Sequence, residues 1–208
     1  MFFNGASELI NTLSFGLVGF LFNRIIMARI GAEGVAAYAV VLYMGSIGMW
    51  VFYGLGDAIG PGINYNVGAG NVDRVKKFLR FGLRSSMVVG AMWFIIVFFF
   101  HSPIAGLFTK DEPEVIILAS EIARYYSPAF LTMGVNIVFT AYFTARYWAK
   151  HSLAVAVSRS LVLVSFALSV FPQFLGNRGI WISVPFAEYL TLIIALVLYT
   201  KTKKMEKH

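Results

Sequence analysis

Residues 81–100, FGLRSSMVVGAMWFIIVFFF, decide the fold of this chain. Arg84 is the single charged residue among them, and apolar side chains occupy every side of the helix that the stretch would form. A bilayer core of about 30 Å is crossed by about twenty mostly apolar residues in a helix. The stretch therefore predicts a transmembrane helix.

Apolar stretches of similar length recur along the rest of the chain. Closed membrane barrels require alternating polarity, and these stretches do not alternate. We therefore predict an all-α, polytopic membrane helical bundle in which residues 1–208 form a single six-helix transmembrane lobe. The six predicted spans are 9–27, 35–55, 81–100, 125–147, 153–171 and 180–199.

The composition excludes several other classes of protein. Hydrophobic residues make up 59% of the chain and charged residues 13%, whereas a soluble domain carries about 25% charge. The net charge of +7 could indicate nucleic-acid binding, but the basic residues flank the apolar spans as membrane topology requires. We therefore expect a lipid bilayer and not a nucleic acid as the partner. The chain has no cysteine, which excludes disulfides and thiolate metal sites.

The connection after the second span, residues 56–80, is the longest and the least apolar. The sequence GPG at 60–62 contains helix-breaking residues, and GAG at 68–70 predicts a turn. A short amphipathic helix should follow, with Asn71 as its N-cap and Asp73 near the positive end of its dipole. This connection is therefore predicted to be a loop with one short helix.

The basic residues indicate the orientation of the spans. Twelve of the 17 fall in segments expected on one side of the membrane, whereas the opposite connections hold three, Arg29, Lys110 and Arg178. The positive-inside rule then predicts that both termini and the two basic connections are cytoplasmic. We expect a multi-pass protein of the plasma (inner) membrane. The twelve are Arg74, Lys76, Lys77, Arg80, Arg84, Arg146, Lys150, Arg159, Lys201, Lys203, Lys204 and Lys207.

The chain carries no motif of an enzyme. The sequence GAGN at 68–71 lies between membrane spans with no strand before it, which excludes a dinucleotide-binding turn. Histidines at 101, 151 and 208 are scattered without the spacing of metal ligands. We therefore predict a protein that is not an enzyme and has neither a cofactor nor a metal site.

Glu188 is the acidic residue whose burial in a membrane would be most costly. It lies eight residues into the last span and three residues after Pro185. A carboxylate at the centre of a span costs about 2.5–3.5 kcal/mol, and a proline kink frees a backbone carbonyl nearby. Glu188 could bind and release a cation or proton, or it could be hydrogen-bonded to a neighbouring helix to fix packing. Both interpretations are open at this point.

Other polar side chains in the spans also require polar surroundings. Glu8 and Asn11 are spaced i,i+3, so the first helix should turn a polar stripe towards a cavity. The amide of Asn136 lies in the middle of a span and needs a partner in protein or water. Glu121 and Arg124, also spaced i,i+3, predict an interfacial ion pair.

Several segments resemble the second half of transporters of the multidrug and toxic compound extrusion (MATE) family. The specific match is GPGINYNVGAGN at 60–71, followed by RVKK at 74–77, which is similar to the cytoplasmic loop after the eighth helix of that family. Supporting segments are similar to parts of the seventh, tenth and twelfth helices: NGASE at 4–8, FLFN at 20–23, YFTA at 142–145 and GIW at 179–181.

The resemblance implies twelve helices in two lobes that enclose a central cavity. Such proteins export cationic, lipophilic, drug-like compounds in exchange for sodium ions or protons, by multidrug antiport without ATP. Acidic residues of the seventh helix are implicated in cation or substrate handling, and Glu8 occupies the matching place. Together with the polar residues above, the candidate substrate- or cation-binding set is Glu8, Asn11, Asn136, Tyr142 and Glu188.

The chain departs from the family pattern because it has only one lobe. Transporters built from paired repeats place their site at the repeat interface, so we expect a matching amino-terminal lobe or a second copy as partner. An inactive membrane fragment or subunit, from a truncated or split gene, is an alternative. A flippase for lipid-linked sugars in the wider superfamily is another, although few basic residues lie within the spans. RYWAK at 146–150 also replaces an expected glycine-proline turn.

Overall fold

The computed structural model describes the backbone of residues 2–109 and 112–205, and the side chains of residues 16–109 and 112–202. Within these ranges every regular element is helical. In chain order they are α1 (Phe2–Arg29), α2 (Ala32–Gly68), α3 (Val72–Phe108), α4 (Pro113–Tyr126), α5 (Phe130–Ala145), α6 (Ala149–Val157), α7 (Leu163–Leu175) and α8 (Asn177–Met205). A 3₁₀ turn, Ser127–Ala129, joins α4 to α5, and a π-helical segment, Ser158–Val162, joins α6 to α7.

The helices form a membrane bundle, as predicted. Among the described residues, five continuous helical segments are long and apolar enough to cross a bilayer. They are Ala32–Gly68, Val72–Phe108, Pro113–Ala145, Ala149–Leu175 and Asn177–Thr202. α1 is a further helix of 28 residues, although its side chains are described only from residue 16 onwards.

Consecutive segments run antiparallel, so the connections lie at two ends of the bundle. We call the end that holds the start of α1, the end of α8 and the connections 69–71 and 146–148 the terminal end. The other end, with the connections 30–31, 109–112 and 176, is the distal end.

The predicted loop at 56–80 is wrong over most of its length. α2 continues through Pro61 to Gly68, because the buried side chains of Ile59 and Ile63 hold the turns on either side of the proline in the bundle. A Cβ on Gly62 would lie 2.6 Å from the ring of Phe78, so glycine lets α3 pack directly on the α2 backbone. The turn is confirmed at 69–71, where Gly70 has φ +67°, and a helix does begin after Asn71. That helix is the start of α3 and not a separate short element.

α5 lies at the centre of the bundle, where α2, α3 and α8 surround it. Two close approaches depend on glycine: a Cβ on Gly90 of α3 would lie 2.5 Å from the Phe130 carbonyl oxygen, and one on Gly134 would lie 2.5 Å from the Phe52 ring. Large apolar side chains such as Trp50, 75% exposed, lie on the outer surface. Asn136, in the middle of α5, is therefore enclosed by protein.

Candidate functional site

Three polar side chains from three helical segments meet inside the bundle. Asn136 of α5 is 0% exposed and Glu188 of α8 is 3% exposed. The guanidinium of Arg159, from the π-helical segment, donates to Glu188 Oε1 from Nη2 at 2.6 Å and from Nε at 3.0 Å. Asn136 Nδ2 donates to Glu188 Oε2 at 2.7 Å and to the Glu188 backbone oxygen at 2.8 Å. We call Asn136, Arg159 and Glu188 the polar triad.

The local structure explains how the triad forms. A π-helical turn holds an extra residue compared with an α-helical turn, and such turns are frequent at functional sites. Arg159 lies within this turn, with its side chain 12% exposed. α8 approaches α7 closely because Gly179 has no Cβ, and a Cβ there would lie 2.5 Å from the Phe171 carbonyl. This close packing brings Glu188 within reach of the arginine.

The triad is nearly balanced in charge and in hydrogen bonding. Both carboxylate oxygens of Glu188 accept hydrogen bonds, and its negative charge is offset by Arg159. Tyr53 of α2 also lies close enough to interact with the guanidinium. The exception is Asn136 Oδ1, which is buried and has no hydrogen-bond partner among the described residues. An unsatisfied buried acceptor costs about 1–3 kcal/mol, so the site has one oxygen available for a further donor or cation.

The position of Arg159 corrects one part of the sequence interpretation. The charge pattern predicts that Arg159 belongs to a cytoplasmic connection, whereas it lies well inside the segment Ala149–Leu175 and its side chain is largely buried. This prediction is wrong because a basic residue within a span can pair with a buried acid instead of lying outside the bilayer. A signal was present in the sequence, since Arg159 falls inside the predicted span 153–171.

The contacts of Glu188 agree with the interpretation of a carboxylate bonded to neighbouring helices. Its hydrogen bonds reach α5 and the π-helical segment, and together they fix α8 against both. The binding of a cation or proton by Glu188 stays a prediction. So does the role of Asn136 in that binding.

Tyr142 does not lie with the polar triad. It is on α5 nearly two turns from Asn136, and its hydroxyl accepts a hydrogen bond from Arg146 Nη1 at 2.9 Å. The same guanidinium lies 4.2 Å from the ring centroid of Trp148. Tyr147, between them, has φ of 61° in the turn where the resemblance implies glycine and proline. Tyr142 therefore belongs to an aromatic and basic cluster that closes the terminal end.

The remaining candidates have different outcomes. The side chains of Glu8 and Asn11 lie outside the described residues. The predicted pairing of Glu121 with Arg124 is wrong, because Glu121 lies 3.8 Å from Arg178 of α8 and Arg124 donates from Nε to His101 Nε2 at 3.1 Å. In the part of the chain that the structure describes, no three or more histidine or acidic side chains are grouped so that they could hold a metal ion.

The chain is similar to known transport proteins over most of its length. The model of the MatE family matches residues 9–169. The FAD transporter of Shewanella oneidensis is 29% identical over 178 residues, which cover 84% of this chain and 39% of that relative. The multidrug export protein MepA of Staphylococcus haemolyticus is 24% identical, with 87% of this chain and 39% of the relative covered. The chain thus spans about two fifths of the length of these relatives.

Solved structures share the fold. One, described as the outward-facing conformation of a multidrug resistance MATE family transporter of the MOP superfamily, matches with a TM-score of 0.90 at 18% identity, over 98% of this chain and 46% of that one. The inward-facing conformation also matches with a TM-score of 0.90 at 18% identity, over 98% of this chain and 47% of that one. The bundle is therefore equally similar to its counterpart in both conformations.

Proposed function

The chain belongs to the MatE family, whose members are transporters and not enzymes, and on that premise we propose that it is one half of a secondary multidrug efflux antiporter. In this proposal residues 1–208 form the carboxy-terminal six-helix lobe, and a matching amino-terminal lobe or a second copy completes the protein. The assembly exports cationic, lipophilic compounds in exchange for sodium ions or protons. Both termini face the cytoplasm, and the membrane is the inner membrane.

The polar triad is the observation that carries this proposal. Ionised residues within a membrane span are costly and typically mark ion or substrate pathways. Here a carboxylate, a guanidinium and an amide from three segments meet inside the bundle. Apolar side chains could pack there at a lower cost in desolvation free energy. The equal similarity to inward- and outward-facing structures supports a lobe that moves as a unit during alternating access.

Competition for Glu188 is the coupling step that we propose. In the described state Arg159 neutralises the carboxylate, so a sodium ion or proton that reaches Glu188 must replace the guanidinium. Asn136 Oδ1 supplies a second oxygen beside the carboxylate, and it has no donor in this state. Arg159 then retains Tyr53 as a neighbour. Because α8 then loses both hydrogen bonds from Arg159 of the π-helical segment, ion binding alters the packing of helices and not only the local charge.

A second candidate function is the export of an anionic, nucleotide-like solute. One relative is named a FAD transporter, and Arg159 is a basic residue inside the bundle to which an anion could bind in place of Glu188. The two candidates differ in the charge of the substrate. They therefore give opposite results with a lipophilic cation and with a flavin nucleotide.

Transport in proteoliposomes tests the proposal. The chain is reconstituted alone and with the amino-terminal half of a MatE-family relative, and uptake of ethidium or of FAD is measured under sodium or pH gradients. We expect ethidium transport by the two-lobe assembly, little transport by Glu188→Gln, and parental transport by Glu114→Gln, which changes an exposed carboxylate at the distal end.

Three outcomes contradict the proposal. FAD transport without ethidium transport supports the second candidate. Transport by Glu188→Gln equal to that of the parent under every gradient makes Glu188 a packing residue. An absence of transport by any properly assembled combination identifies the chain as an inactive membrane subunit.

A further inference from the structure

A pocket of about 820 Å³ opens at the distal end, between α3, α4 and the first turn of α8. It is lined by four residues that can carry charge: His101 of α3, Glu121 and Arg124 of α4, and Arg178 of α8. Its volume is within the range of ligand sites, about 300–1,000 Å³. The polar triad does not line this pocket. The interpretation of the pocket does not rest on the proposed function.

The charged groups leave the pocket with one excess positive charge. His101 Nε2 accepts a hydrogen bond from Arg124 Nε at 3.1 Å, which requires a neutral imidazole and leaves the arginine charge uncompensated. Glu121 and Arg178 lie 3.8 Å apart, with side chains 47% and 67% exposed. Such an open pair contributes little stability, so a ligand can separate it at low cost.

This arrangement suits a phosphate group. A guanidinium presents a planar fork of N–H donors that matches two phosphate oxygens. Arg124 uses Nε for its hydrogen bond to His101, and this bond fixes the orientation of the guanidinium. The two terminal nitrogens of Arg124 take no part in that bond. Arg178 is the second basic group on the pocket wall. One excess positive charge balances the single negative charge of a phosphodiester.

The remaining wall of the pocket is mostly apolar and faces outwards. Besides Ser120 it is formed by Phe98, Ile117 and Tyr125, and Ile117 is 70% exposed. A free phosphate ion would gain nothing from these three large side chains, whereas an acyl chain would cover them. The pocket also lies in the distal parts of α3, α4 and α8, towards the ends of membrane-spanning segments.

We propose that this pocket binds a phospholipid, with Arg124 and Arg178 on the phosphodiester and the acyl chain against Phe98 and Ile117. The lipid then links α3, α4 and α8 at the distal end.

Lipid binding by the full chain tests this proposal. The chain is purified in detergent and titrated with phosphatidylglycerol, and the bound fraction is measured by native mass spectrometry. We expect Arg124→Gln/Arg178→Gln to weaken binding by about tenfold or more, because two charge-assisted hydrogen-bond donors are lost. The matched control, Arg74→Gln/Arg80→Gln, removes two exposed arginines at the terminal end and should leave the affinity within about twofold of the parent.

Two ligand controls identify the source of the phosphate. Diacylglycerol, which has the chains without the phosphate, should not occupy the site. Inorganic phosphate should not displace the lipid at comparable concentration. Arg178→Gln alone, at a largely exposed position, provides a variant that should fold if the double substitution does not.

Parental affinity in the distal variants overturns the proposal, and so does an equal loss in the control variant, which would indicate general attraction of anions to a basic protein. Displacement by inorganic phosphate would assign the pocket to a soluble phosphate instead of a lipid.

Discussion

The ion pair between Arg159 and Glu188 should contribute a large coupling energy to stability. Glu188→Gln leaves an ionised guanidinium in the bundle, and Arg159→Met leaves an ionised carboxylate that is 3% exposed in the parent. Removal of one partner of a buried pair costs about 3–5 kcal/mol. The double substitution leaves neither charge, so it forfeits mainly hydrogen bonds, at about 1 kcal/mol each. The sum of the two single effects should therefore exceed the double effect by at least about 3 kcal/mol, the upper end of the usual coupling between residues in one network.

The assay is a double-mutant cycle on the free energy of unfolding, measured by denaturant titration in detergent micelles. The matched control is the same cycle on Glu121 and Arg178, whose exposed side chains lie 3.8 Å apart and should couple by less than about 1 kcal/mol. If the cycle across Arg159 and Glu188 gives a coupling no larger than this control, the triad is not a tight, desolvated network. The competition proposed for Glu188 would then lack its physical basis.

Three other predictions concern the packing and the orientation of the bundle. Asn136→Leu should lower the free energy of unfolding by about 1–3 kcal/mol, because it removes both amide hydrogen bonds to residue 188; an unchanged value would show that these bonds are not formed. Gly90→Ala should lower the free energy of unfolding by about 1–3 kcal/mol, since the new Cβ would lie 2.5 Å from a backbone oxygen of α5. Gly54→Ala, with open space around it, should be neutral or stabilising in the same titration. Asn71→Cys should react with a thiol reagent only when the cytoplasmic face is accessible, and labelling of intact cells by an impermeant reagent would reverse the proposed topology.

The sequence was sufficient for the membrane class because apolar length is a direct requirement of the bilayer. It failed over most of residues 56–80, where glycine and proline suggested a loop, although the turn at 69–71 was predicted correctly. Local propensity was overridden there, since Gly62 permits the contact with Phe78 that holds α2 and α3 together. Secondary-structure propensity is a property of one segment, whereas this contact joins two helices. Propensity alone therefore could not predict it.

Two of the three residues of the polar triad were predictable from the sequence. Glu188 could be selected from its cost of burial, and the need of Asn136 for a partner was also evident, since both follow from a single residue in an apolar stretch. Arg159 was missed as the partner of Glu188, because 29 residues separate the two in sequence. Its basic charge also suggested a residue of a cytoplasmic connection. The roles of Glu8 and Asn11 stay predictions.

The π-helical segment Ser158–Val162 has a consequence for how the site responds to distant changes. An α-helix advances by about 100° per residue, so the extra residue of a π turn sets α6 and α7 out of phase with each other. α7 is held by its close contact with α8 near Gly179, whereas α6 is held by contacts at the terminal end, such as that between Ser152 and Thr144. Arg159 lies in the π-helical segment between these two helices. A rotation of α6 or α7 about its own axis would therefore change the position of the Arg159 guanidinium relative to the Glu188 carboxylate.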